Sequence, residues 1–129
     1  MKDLIKQIAH WERISKVLEP DEIERSQSVE LVSEYGNAFI NKLDSSKAFQ
    51  FSDKLSSAFD IDQNQKSLDQ VIELYDVEVA NKGIKASSGG HMGYIPGGGL
   101  FASSLGDFLA DVTNEYAGIF YGSPGAVSM

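Results

Sequence analysis

Residues 2–20 read KDLIKQIAHWERISKVLEP. Leu4, Ile5, Ile8, Trp11, Ile14, Val17 and Leu18 recur at steps of three and four, so a helix gathers them into one apolar stripe. Lys2, Asp3, Lys6, Glu12, Arg13 and Lys16 fill the other face. Pro20 stops the run, because its ring disfavours helical backbone at the preceding residue and it has no amide donor. The same proline suits the opening turn of a second helix, where Asp21, Glu22 and Glu24 complement the positive end of the dipole. That helix carries Ile23, Val29, Val32, Tyr35, Phe39 and Leu43. Gly36 inside it costs up to about 1 kcal/mol relative to alanine, which predicts close contact with another helix there. Two such helices on a short link form a hairpin with an uncovered stripe, and a second copy of the chain is the expected cover.

Working outward, residues 44–65 are polar with anchors at Phe49, Phe51, Leu55, Phe59 and Ile61, which predicts an irregular loop with one short helix near 52–59. Ser67 and Gln70 have capping-box spacing and open a third helix whose expected buried stripe is Leu68, Val71, Ile72, Tyr75 and Val79. Lys82 and Gly83 end it, a cation at the negative end of the dipole and a glycine stop. Residues 87–99 are loop. A fourth helix is expected from Leu100 to about Glu115, apolar around most of its circumference and so covered on several sides. Residues 117–129 are broken by Gly118, Gly122, Pro124 and Gly125. The fold class is therefore all-α: three to four helices with a glycine-rich loop, divided into a helical region at 1–86 and a loop-and-helix region at 87–129.

The division follows composition. All eleven Lys and Arg lie at or before Lys85, and eleven of twelve glycines lie at or after Gly83. The stretch 86–129 has no Lys or Arg, three acids (Asp107, Asp111, Glu115) and six of thirteen aromatics, the make-up of an interior or an interface. The whole chain of 129 residues has a formal charge of −8, which argues against nucleic acid and anionic membrane surfaces as partners. With no cysteine, disulfides, thiolate catalysis and cysteine zinc sites are excluded. No apolar run approaches the length of a membrane span. The expected setting is a soluble, reducing compartment, most simply the cytoplasm.

Six glycines crowd into residues 89–99, where backbone can approach a ligand closely. Gly97, Gly98 and Gly99 precede a helix and could present amides to an anion, but the spacing is neither a dinucleotide fingerprint nor a P-loop. A flexible turn is the plainer reading. His91 offers acid–base or stacking chemistry and is more commonly a polar loop residue; His10 belongs to the solvated face of helix one. Asp107 and Asp111, four apart on one face, lack histidine support for a metal, so no metal site is assigned. No nucleophile, base and orienting group fall into a recognisable arrangement, so no catalytic residue is assigned either.

Four blocks, GYIPGGGL at 93–100, LGDFLAD at 105–111, NEYAG at 114–118 and SPGA at 123–126, together resemble the amino-terminal region of pyridoxal-phosphate-dependent group II amino-acid decarboxylases, the family of the aromatic amino-acid and glutamate decarboxylases. Their order and spacing agree over roughly 87–129; the helices before them agree only in kind. The resemblance implies a homodimer whose amino-terminal helices wrap around the partner, as the first segment of a fold type I enzyme. It implies that Tyr94, Ile95, Pro96 and Gly97 line the substrate end of the active site. It implies that Tyr116, Gly118 and Phe120 reach toward the other subunit's site. Asn114-Glu115-Tyr116 departs from the family's amide-rich pattern. The family's cofactor lysine and its companions belong to a large domain with no counterpart here, and Lys82 and Lys85 fall in the wrong block. The expectation is therefore a fragment: a source of dimer contacts and pocket wall, inactive alone, with pyridoxal phosphate and an amino-acid substrate belonging to the parent enzyme and no cofactor held by the fragment itself. The alternative is a stand-alone acidic helical module for protein interaction or dimerisation.

Overall fold

The computed structural model describes residues 1–52, 57–60, 64–93 and 99–128. It is mostly helical, with a single two-stranded sheet among the described residues. The chain divides into two compact units, Met1–His91 and Met92–Met129.

In the first unit, α1 spans Lys2–Ser15 and tightens into a 3₁₀ turn at Lys16–Leu18 before Pro20. The second helix, α2, spans Glu22–Asn41. Asp21 caps it: its side chain accepts from the Glu24 amide at 2.9 Å, and the Asp21 amide donates to the Glu24 carboxylate at 2.8 Å. Two otherwise orphaned amides are satisfied at once, which is why the helix starts one residue after the proline's successor. Ser67 and Gln70 make the reciprocal cap of α3, Leu68–Tyr75, as their spacing predicts. Beyond Tyr75 the helix widens into a π-turn, Asp76–Ala80, closed by the Asn81 amide on the Asp76 carbonyl at 3.0 Å.

Between α2 and α3 lie 3₁₀ turns at Leu43–Ser45 and Ser57–Phe59 and a short strand, β1, at Phe49–Gln50. Residues 53–56, on which part of the expected short helix falls, are outside the described residues. Gly83, at φ +73°, turns the chain from the π-turn into β2, Gly83–Ile84, as only glycine does without strain. The strands pair antiparallel, Phe49 opposite Ile84, and the Lys85 amide extends the clip to the Ala48 carbonyl at 2.9 Å. Neither strand was expected from sequence, since two residues carry no period.

In the second unit, α4 spans Phe101–Thr113, stopped by Asn114 in the left-handed conformation at φ 45°. Asparagine tolerates that geometry better than most side chains. A tight turn over residues 116–122 leads into α5, Pro124–Ser128.

Burial departs from two expectations. A side chain at Gly36 would meet nothing within 4 Å, so the predicted close helix contact there is absent; the glycine sits on an open flank of α2. The helix α4 is not covered on several sides. Leu100, Phe101, Leu105, Phe108, Leu109 and Val112 are each at least half exposed. Among the described residues no hydrophobic side chain is buried, and only Ser88 and Ser123 fall below a tenth exposed. Full burial of one such apolar side chain is worth about 1.5–3 kcal/mol, so a large stabilisation is left unrealised on these faces.

Candidate functional site

The sequence points first to the glycine loop. Tyr94, Ile95, Pro96 and Gly97 lie outside the described residues, as does Gly98. Before them, Ser88 is buried, its hydroxyl accepts from the Gly90 amide at 3.3 Å, and a Cβ at Gly90 would press on the Ala48 side chain at 3.3 Å. The loop's opening turn is therefore seated on the strand clip. His91 is partly exposed; its amide closes the turn onto the Ser88 carbonyl at 3.0 Å.

Tyr116, Gly118 and Phe120 lie close in sequence in the turn after α4, and of these the structure packs Tyr116 against Gly118. The Tyr116 ring lies across the turn: a Cβ at Gly118 or at Gly122 would stand 2.7 Å from ring atoms. Both glycines exist to admit that ring. The Gly122 amide closes the turn onto the Ile119 carbonyl at 2.9 Å, leaving Phe120 and Tyr121 directed outward, Tyr121 at 92% exposure. Gly118→Ala is expected to displace the Tyr116 ring rather than unfold the unit, since the ring is itself mostly exposed. Proton NMR checks this: the upfield ring-current shift of the Gly122 α-protons should vanish in the variant.

Asp107 and Asp111 are exposed on α4, and no group of three or more metal-ligating side chains occurs among the described residues. His10 is on the exposed face of α1, its ring edge-on to Trp11 at 5.3 Å. Lys82 is paired with Glu78, and Lys85 donates to Asn81 at 3.2 Å and lies 5.4 Å over the Phe39 ring.

A second site went unread in the sequence. The facing sides of α2 and α3 enclose an open cleft of about 330 Å³. Tyr35 stands in it, edge-on to Tyr75 at 6.0 Å and near-parallel to Phe39 at 6.4 Å. Its hydroxyl donates to the Asp76 carboxylate at 3.0 Å, and the Asn81 amide group donates to the other oxygen at 2.9 Å. Lys85 then donates to Asn81, completing a chain of four polar groups. The π-turn makes it possible. In an α-helix, residues five apart face different ways; the wider turn stacks Asp76 over Asn81. Burial, then the hydrogen bond to Asp76 and its negative charge, push the Tyr35 hydroxyl up to about 12. The only sequence signal was an Asp–Asn pair at a spacing that helical periodicity assigns to different faces.

Among the described residues no helix is long and apolar enough to cross a membrane. Comparison with protein-family models, with curated proteins and with solved structures finds no match to this chain.

Proposed function

We propose that the chain is the amino-terminal piece of a pyridoxal-phosphate-dependent group II amino-acid decarboxylase of the cytoplasm. It supplies dimer contacts and one wall of the substrate pocket and is inactive by itself. One observation carries the reading: from Leu100 to Tyr121 the large apolar side chains are exposed on a stretch without a Lys or Arg. A surface of that make-up is the kind that other protein covers. The resemblance supplies the cover, a large fold type I domain and a twin subunit around which α1 and α2 wrap. Tyr94–Gly97 and the Tyr116–Phe120 turn then form the parts of the pocket wall that this chain contributes.

A stand-alone dimerisation module is the second reading. The continuous exposed stripe of α1 favours it, because a twin helix hairpin would satisfy that face without any further domain.

A fusion decides between them. Residues 1–129 replace the amino-terminal region of a group II decarboxylase, beside the same enzyme lacking that region. Recovery of pyridoxal-phosphate-dependent decarboxylation, lost again on Tyr94→Ala, is the expected result. A fusion that is dimeric and cofactor-loaded but no more active than the truncated enzyme overturns the decarboxylase reading.

A further inference from the structure

The cleft between α2 and α3 has opposite charges at its two ends, and the proposed function uses neither. At one end are Asp69 and Glu73. Asp69 also borders the neighbouring groove beside Leu31, Ser67 and Leu68, which places it at the start of α3, with Glu73 one turn farther along the same helix. At the other end are Lys42 and Lys85, the latter over Phe39. Leu31 and Lys42 are eleven residues apart on α2 and its C-cap, about 16 Å along the axis. Tyr35, Phe39 and Ile72 make an aromatic and aliphatic floor, and beside it lies the Asp76 carboxylate, already held by Tyr35 and Asn81. Among the described residues, the charged groups of Lys42, Asp69 and Glu73 have no hydrogen-bond or ion-pair partner, while the floor is held in place by the Tyr35–Asp76–Asn81 chain.

We propose that this cleft binds a short extended peptide with free ends, its ammonium at Asp69 and Glu73, its carboxylate at Lys42 and Lys85, and an apolar side chain on Tyr35 and Phe39. The dimensions select the class. A single amino acid carries both charges on one carbon and reaches one end only. Three extended residues span about 10 Å, and the flexible Lys42 and Glu73 side chains close the remainder. Lys85 keeps two further donors after serving Asn81. The inference stands apart from the decarboxylase reading, since it uses only residues of the first unit.

The test is an NMR titration of the full 129-residue chain with Ala-Phe-Ala, read at the Tyr35 and Phe39 rings. Saturable shifts are expected with the free tripeptide. Exposed charge pairs are weak, so Lys42→Gln should loosen it about three- to fivefold while leaving the carboxamide form unchanged. Glu73→Gln should do the same for the amino end, distinguished by the N-acetyl form. Free phenylalanine should bind more weakly than the tripeptide. The proposal fails if no saturable shift appears, if the doubly blocked peptide binds as well as the free one, or if phenylalanine alone matches it. Failure here leaves the fusion experiment untouched, and failure of the fusion leaves this cleft untouched.

Discussion

Trp11→Glu is expected to convert a dimer of this chain into a monomer. Trp11 lies at the middle of the α1 stripe and is 63% exposed, flanked by Ile8 and Ile14 on the same face. A tryptophan covers about 150–250 Å² when buried, so the exposed part of its ring offers several kcal/mol at about 25 cal/mol/Å². An imperfect fit against the twin helix realises about half of that. Glutamate loses it and adds a carboxylate that the interface would have to desolvate. The dissociation constant should rise by about a hundredfold or more, equivalent to about 2.7 kcal/mol. Sedimentation across a micromolar concentration series reads it directly. Lys6→Gln, on the opposite face of α1, should leave association unchanged. A wild-type chain that sediments as a monomer at every concentration would sink the assignment of this face to a second copy.

What the sequence made legible follows the length of each periodic segment. The stripes of α1 and α3 and the Ser67 cap were readable because helical spacing repeats over several turns and a cap is a fixed local pattern. Asp21 and Glu24 have the same spacing, but Pro20 just before them equally suits a first helical turn, so the sequence offers two competing starts for α2. Gly36 misled, because a glycine in a helix has two explanations, close contact or a bare flank, and spacing alone does not choose between them. The π-turn was out of reach: nothing in DVEVA at 76–80 distinguishes it from α-helix, and the contact that accompanies it comes from Tyr35, forty-one residues earlier. The Tyr116 turn was half legible. Gly118 and Gly122 were legible as breaks in the chain, and the reason for both glycines emerged only once the ring's position was known. The cleft was missed because its charges come from the end of α2, from α3 and from Lys85 beyond β2, so that no single segment shows the pattern.

Asp76→Ala should be the most damaging single substitution in the first unit. The carboxylate accepts from the Tyr35 hydroxyl and from Asn81, and it is half-buried. Removing it strands two donors and releases the contact that ties α2 to the π-turn. Hydrogen bonds to a charged group are worth about 1.5–3 kcal/mol, so a loss of about 2–3 kcal/mol is expected, seen as a lower urea midpoint of the helical signal. The same contact has a pH signature with a fixed sign. Tyr35 holds its proton up to about 12 in the folded chain, against about 10 when unfolded. Below pH 10 both states keep the proton and the contribution is fully present. Between pH 10 and 12 the unfolded chain has released it and the folded chain has not, so stability falls as pH rises. Lysines titrate in the same range, which makes the comparison with Tyr35→Phe the informative one. The phenylalanine chain should begin less stable by about 1 kcal/mol and lose less over that interval. If both chains fall with equal slope from pH 10 to 12, Tyr35 is not the group that Asp76 holds protonated, and the anchor between α2 and the π-turn is assigned to the wrong pair.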